Sequence, residues 1–162
     1  MNARLALILA FLIVAAGTAM TPTPSFAFGS SSSSSGSAVR TNADFDAGRQ
    51  AIDAKDWSRA IAMLKRAVDQ EPKNADAYNL LGYAERQTGN LDAAFASYDK
   101  ALALDPQHRG AHEYVGEAYL QAGNLAKAEE QLKALDDICT FGCEEYTELK
   151  EKVAAYKART KG

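Results

Sequence analysis

Two cysteines near the end of the chain have the clearest chemical potential. Cys139 and Cys143 are the chain's two cysteines, and Thr140-Phe141-Gly142 separates them. This spacing is neither the Cys-x-x-Cys of thioredoxin-like redox motifs nor the Cys-x-x-Cys-His of haem attachment. In an oxidising compartment so close a pair predicts a structural disulfide, and Gly142 would let the chain bend to close it. The alternatives are a soft-metal site, such as one for Cu(I), and a redox-active thiol pair.

The two histidines have a spacing that can hold a metal on one helix, since His108 and His112 are four residues apart. However, His108 follows Pro106 in an expected loop, and His112 occupies a place that is normally a buried aromatic in the repeat described below. We therefore expect a loop histidine and a core histidine. The sequence also has no nucleophile motif, no Gly-rich phosphate loop and no supported pair of carboxylates. It predicts a protein that is not an enzyme, with no catalytic residue, no metal and no cofactor.

The first 27 residues have the pattern of a secretory signal peptide. A positively charged start precedes the apolar run Leu5–Ala16, and small residues stand before an expected cleavage after Ala27. The run is shorter than the roughly 20 residues that span a bilayer, so we expect no stable membrane span after cleavage; a retained anchor is the alternative. The predicted location is the bacterial periplasm, with the outside medium second. Residues 28–40, which include Ser30–Ser35, are predicted to form a disordered Ser/Gly-rich linker.

Composition limits the class of partner. The chain has 162 residues, 47% of them hydrophobic and 24% charged, with a net charge of −3, which suits one soluble domain of ordinary composition. No basic stripe or cluster of Lys and Arg appears, so we expect no nucleic-acid binding.

A period of 34 residues organises the remaining chain into three segments, residues 41–74, 75–108 and 109–142. Small residues recur in each segment: Gly48, Gly82 and Gly116 at the eighth place, and Ala60, Ala94 and Ala128 at the twentieth. Small side chains at these places would let two helices approach closely. Gly89-Asn90 and Gly123-Asn124 supply a turn between the helices because glycine tolerates a positive φ. The first segment has Lys55-Asp56 there, which predicts a more strained turn.

These positions resemble the tetratricopeptide repeat, a 34-residue helix-turn-helix unit. The middle segment carries the pattern as Tyr78-x2-Leu81-Gly82, Ala94-x3-Tyr98, Ala101 and Pro106. The resemblance covers about 100 residues and implies an all-α solenoid of three repeats. The outer segments depart from the pattern, for example at Asp44 and His112, as the ends of a stack are expected to do.

A further helix is predicted after the third segment, at about residues 144–158. Tyr146, Leu149, Val153 and Tyr156 form one apolar stripe, and the opposite face is charged. We expect residues 143–162 to form a capping helix and tail, with the apolar stripe on the last repeat and the polar face in water. The alternative is a helix that is offered to a partner.

The resemblance also implies where a ligand would bind, because members of this family commonly take a peptide or a partner helix in the concave face. The candidate groove residues are Arg49, Asn79, Tyr83, Arg86, Glu113 and Glu117. They predict an exported scaffold that binds a peptide or protein of mixed charge. A carboxylate clamp of the chaperone-binding type is not expected, since only Arg49 suits it. The alternatives are a thiol-redox or metal-handling accessory protein that uses Cys139 and Cys143, a structural subunit of a larger assembly, and an ordinary solvated face.

Overall fold

The computed structural model describes residues 42–160, so the predicted signal peptide and linker lie outside the described residues. The described part consists of seven α-helices and contains no strand, which confirms the predicted all-α class. The helices are α1 (Ala43–Asp53), α2 (Trp57–Gln70), α3 (Ala75–Gln87), α4 (Leu91–Leu104), α5 (Arg109–Gln121), α6 (Leu125–Ile138) and α7 (Glu144–Thr160). None of them has the length and apolar character that crossing a bilayer requires.

Side-chain caps explain where the first six helices begin. The residue before each helix accepts a hydrogen bond from a backbone N–H in the first turn, which satisfies a donor that the helix itself leaves unpaired. The capping residues are Asn42, Asp56, Asn74, Asn90, His108 and Asn124. Because five of the six are Asn or Asp, the sequence fixes these boundaries locally.

The turns within the three helix pairs differ as the sequence predicts. Gly89 and Gly123 both have a φ of 79°, in the left-handed region that glycine adopts without steric cost. Lys55 takes the same role in the first pair with a φ of 56°, where its Cβ crowds the backbone. The first turn is therefore the strained one among the described residues.

Glycines at the eighth place allow close helix packing, as predicted, but the third one has a different neighbour. A Cβ on Gly82 would lie 2.7 Å from the ring of Tyr98, and one on Gly48 would lie 2.6 Å from Leu64, each on the second helix of its own pair. At Gly116 the nearest side chain is instead Leu149 of α7, 2.6 Å away. The third repeat thus uses its glycine to receive the capping helix.

The capping helix runs two residues beyond its predicted end and packs on α5 and α6. Leu149 and Val153 are buried, in a cluster with Ala128 and Leu135 of α6. Its polar face differs from the expectation, because Lys152 turns toward α5 and binds carboxylates there. The helix therefore closes the core and also takes part in the face that carries the candidate site.

Candidate functional site

The candidate site lies on the face formed by the first helix of each pair. Successive first helices contact one another, α1 with α3 and α3 with α5, and α7 continues the row by contacting α5. Side chains that point along this row belong to different repeats, so the 34-residue period brings them together. The capping helix adds a fourth set of side chains to the row.

A network of charged side chains joins α3, α5 and α7 across this face. The Arg86 guanidinium donates to Glu117, with Nη2 2.8 Å from Oε2. The Lys152 ammonium of α7 also binds Glu117, and it lies 3.3 Å from Glu113 Oε1 and 3.2 Å from Glu148 Oε2. We call Arg86, Glu113, Glu117, Glu148 and Lys152 the ion-pair network. It holds the capping helix against the last repeat.

Burial and charge act against each other within the ion-pair network. Burial raises the pKa of Glu113 to about 7, and the Lys152 charge offsets part of that rise. Hydrogen bonds from Lys152 and Glu113 lower the pKa of Glu148 below its ordinary value. Burial alone would lower the pKa of Lys152, but its bonds to Glu117 and Glu148 and the charge of Glu113 raise it instead. Lys152 is therefore charged at neutral pH, and Glu113 sits close to its own titration point.

An aromatic row lies beside the ion-pair network. The Tyr83 ring is 5.9 Å from Trp57 at 72°, an edge-to-face contact, and 4.9 Å from Tyr114. The Arg86 guanidinium lies 5.4 Å from the Tyr83 ring centroid and 6.0 Å from that of Tyr114. Burial raises the pKa of Tyr114 to about 12, so this ring stays neutral. Tyr83 and Arg86 are consequently held by neighbours within the chain.

The six candidate groove residues therefore fall into three situations. Tyr83, Arg86, Glu113 and Glu117 are brought together in the aromatic row and the ion-pair network, where they bind one another. Asn79 borders the same region with 5% of its surface exposed, and its Oδ1 has no hydrogen-bond partner in residues 42–160. Arg49 is apart from them on α1, exposed, with its guanidinium 6.0 Å from the Phe45 ring.

Sequence reasoning missed the contribution of α7 to this face. The polar residues Glu145, Glu148 and Lys152 were expected to face water, yet they line the groove together with Arg159. Their spacing of 3, 4 and 7 residues marks one stripe next to the apolar stripe of Leu149. That stripe was the available signal, because a helix that continues the row must present one polar stripe to the concave side.

The ion-pair network separates two pockets of similar size and different charge. The acidic pocket, of about 300 Å³, is lined by Asn79, Gly110, Glu113, Tyr114, Glu145 and Glu148, with Glu144 at its edge. The basic pocket, of about 310 Å³, is lined by Arg86, Glu117, Leu120, Lys152, Tyr156 and Arg159. A ligand that follows the face across both pockets would meet opposite charges at its two ends.

The histidines each have partners within the protein. His108 caps α5, since its Nδ1 accepts from the Ala111 N–H, and its Nε2 lies 3.0 Å from Asp76 Oδ1. His112 has Gln131 Oε1 2.8 Å from Nδ1 and the Pro106 carbonyl 3.0 Å from Nε2. The two rings thus serve different contacts, and no group of His, Cys, Asp or Glu in residues 42–160 is arranged to hold a metal ion.

The cysteines lie at the joint between α6 and α7. Cys139 is the C-terminal cap of α6, and the Cys143 carbonyl accepts a hydrogen bond from the Thr147 N–H in the first turn of α7. Their Sγ atoms are 2.12 Å apart, which is bonding distance, and their Cα atoms are 5.7 Å apart. Gly142, between them, has a φ of 83°, the bend that the sequence predicts.

Comparison with known proteins gives consistent matches over the helical part of the chain. Two family models described as tetratricopeptide repeat match residues 45–109 and 85–152. A TPR repeat-containing protein of Pseudomonas aeruginosa is 36% identical over 56 residues, which are 35% of this chain and 53% of that protein. The chain therefore spans about half the length of the curated relative it matches.

Solved structures with low sequence identity share the fold. The type III secretion translocator chaperone SycD of Yersinia enterocolitica has a TM-score of 0.67 at 18% identity, over 74% of this chain and 85% of that one. The TPR2B domain of yeast Sti1 in complex with pHsp70 has a TM-score of 0.66 at 20% identity, over 72% and 95%. PcrH in complex with the chaperone binding region of PopD has a TM-score of 0.65 at 18% identity, over 73% and 91%.

Proposed function

Because the chain belongs to the tetratricopeptide repeat family, we propose that it is a protein-interaction module whose concave face binds an extended segment of another protein. The two family models together cover residues 45–152, which include every helix that lines this face after α1. Two of the solved neighbours are complexes, one with pHsp70 and one with a region of PopD. They support binding as the role of the fold.

The observation that carries the proposal is the pair of adjacent pockets on α3, α5 and α7. Each pocket is open and mixes apolar wall with charged groups, which is what recognition of a peptide side chain requires. The two pockets have opposite charge and lie on either side of the ion-pair network. We infer a partner segment of mixed charge that places one side chain in each.

The part of the chain that the structure describes offers binding groups rather than a reaction centre. A nucleophile would need a base within hydrogen-bond reach and a group that orients the base. The grouped side chains here are carboxylates neutralised by Lys152 and Arg86, which suits electrostatic recognition. We therefore propose a role without catalysis and without a cofactor.

The proposal is tested by affinity capture with charge-reversal variants. The chain from residue 28 onward is used to capture partners from envelope extract, and the captured proteins are identified by mass spectrometry. Arg49→Glu and Arg159→Glu together reverse two exposed cations on the concave face and should reduce capture of the main partner at least tenfold. Arg59→Glu, an exposed position on α2, is the matched control and should leave capture unchanged. Equal capture by all variants would place the partner on another surface.

We also propose that the chain is exported, with the periplasm as its first location, and that Cys139 and Cys143 form a structural disulfide there. The signal-like pattern of the first 27 residues and the bonding distance of the two Sγ atoms support both parts together. In fractionated cells the mature protein should begin at Phe28, and its thiols should react with a labelling reagent only after reduction. Thiols that react without reductant would favour the alternative, a thiol-redox or metal-handling accessory protein.

A further inference from the structure

We propose that the acidic pocket binds an arginine side chain of the partner segment, with Asn79 and the carboxylates of α5 and α7 as its acceptors. This inference rests on the proposed function and names the chemistry of the partner at one of its two pockets. Three features of the pocket support it: its excess of carboxylates, the buried amide of Asn79, and the spread of the acceptors over three helices.

Carboxylates outnumber cations in the acidic pocket. Glu113, Glu145 and Glu148 line it and Glu144 stands at its edge. Lys152 is shared between Glu113, Glu148 and Glu117, so it neutralises no single group fully. The other nearby cation is Arg109, which lies on the outside with its Nε 3.7 Å from Glu145 Oε1. A positive group brought by a ligand would therefore be attracted to the pocket.

Asn79 provides an acceptor that the described part of the chain leaves unused. Its side chain is about nineteen-twentieths buried and borders the pocket, while its Oδ1 has no hydrogen-bond partner among residues 42–160. A buried amide oxygen without a donor is costly, and a ligand N–H would remove that cost. Gly110 opposite has no side chain, and a Cβ there would lie 3.2 Å from Asn79 Nδ2. The glycine keeps access to the amide open.

The arrangement of the acceptors favours a guanidinium over other cations. Asn79 lies on α3, Glu113 on α5 and Glu148 on α7, so the acceptors surround a space of about 300 Å³ rather than meeting at one point. A guanidinium presents five N–H donors in one plane and is less strongly hydrated than an ammonium, so it can reach several acceptors at once. The Tyr114 ring in the pocket wall offers a surface on which this plane can stack.

The test is an NMR titration of the ¹⁵N-labelled chain from residue 28 onward with N-acetyl-arginine methylamide. The Asn79 side-chain amide and the Gly110 backbone amide should shift together, with a Kd on the order of millimolar, as expected for a single side chain. The citrulline analogue has a similar shape without the charge and should bind at least tenfold more weakly. The lysine analogue should bind at least threefold more weakly. Equal binding of either analogue would overturn the proposal, as would shifts confined to another surface.

Matched variants on α7 separate the pocket from the general charge of the helix. Glu148→Gln removes one acceptor and should weaken binding of the arginine probe about tenfold. Glu151→Gln removes the same charge from an exposed position outside the pocket and should leave the affinity unchanged. Glu145→Gln is the second pocket variant, which keeps the test decisive should Glu148→Gln disturb the position of α7. Ca²⁺ is titrated in parallel, and identical shifts with Ca²⁺ at the same concentrations would show a general cation site and contradict the assignment.

The outcome of this titration is independent of the capture experiment. If the arginine probe fails to bind while Arg49→Glu with Arg159→Glu still abolishes capture, the proposed function stands and only the identity of the side chain is wrong. If the probe binds at the acidic pocket but capture ignores the concave-face variants, the pocket is real and the proposed function fails.

Discussion

The concave face has two ends that differ although the same repeat builds both. At the open end, formed by α1 and α2, Arg49 occupies the ninth place of its repeat, is exposed, and contacts the Phe45 ring at 6.0 Å. At the closed end, formed by α5 to α7, the ninth place is Glu117, whose side chain is 13% exposed and held between Arg86 and Lys152. The difference shows that the next helix in the row decides what a groove residue does.

The capping helix is the physical cause of the closed end. Leu149 enters the space that Gly116 leaves and brings Lys152 to the carboxylates of α5. The open end has no such helix among the described residues, so its groove side chains keep their exposure. The comparison therefore depends on how strongly α7 is attached and on what its charges do once attached.

Truncation of Leu149 should have the largest effect on this comparison. Leu149 is fully buried against Gly116 and α6, so Leu149→Ala should lower the free energy of unfolding by about 2–5 kcal/mol. Thermal unfolding followed by circular dichroism measures it. Leu104→Ala is the control, since Leu104 is 39% exposed at the end of α4 and should lose about 1 kcal/mol or less. Equal losses would mean that α7 does not seal the core.

The fold was predictable because its determinants are local and recur. Three copies of one small-residue pattern in register specify the helix pairs, and Asn or Asp before five of the helices specifies their starts. The strained turn at Lys55 was also predictable, because the two other repeats have glycine there. Each of these statements concerns residues within one repeat or at equivalent places.

The site was less predictable because it depends on contacts between repeats and on the orientation of α7. Repeat position alone assigned Arg86 and Glu117 to the groove, but it could not show that they bind each other at 2.8 Å. The Cys139–Cys143 segment interrupts the 34-residue period, so the rotation of α7 about its axis, and with it the place of Lys152, could not be read from that period. Only the stripe that includes Glu148 gave an indirect sign.

Titration of Glu113 should have an intermediate effect, confined to the closed end. Burial raises its pKa from 4.5 to about 7, while Lys152 and Glu148 on α7 and Glu117 on α5 face the same carboxyl. The folded state therefore holds this proton more tightly than the unfolded state does. Stability from this group is present below pH 4.5 and is lost as the pH rises to about 7. We expect a loss of about 1–2 kcal/mol, after allowance for screening by Lys152.

The measurement is the melting temperature of wild type and Glu113→Gln between pH 5 and pH 8. The variant cannot titrate at this position, so wild type should lose stability relative to Glu113→Gln as the pH rises. Glu130→Gln removes an exposed carboxyl on α6 and should follow wild type throughout. A difference between wild type and Glu113→Gln that stays constant over this range would show that the Glu113 carboxyl does not titrate there.

Relief of the strained turn at the open end should have the smallest effect, and it should be stabilising. Lys55 has a φ of 56°, where glycine avoids the steric cost that lysine bears. Lys55→Gly gains that relief but also increases the freedom of the unfolded chain, so the net gain should be about 0.5–1 kcal/mol. Urea unfolding should show a higher midpoint with an unchanged slope.

The matched variants for this turn are Lys55→Ala and Gly123→Lys. Lys55→Ala keeps a Cβ at positive φ and should give no gain, because the strain comes from the backbone conformation and not from the ammonium. Gly123→Lys introduces the same strain at the closed end, where φ is 79°, and should lower the midpoint. A gain from Lys55→Ala equal to that from Lys55→Gly would assign the effect to the lysine side chain. In that case the open end would differ from the closed end through its charges alone, and not through its turn.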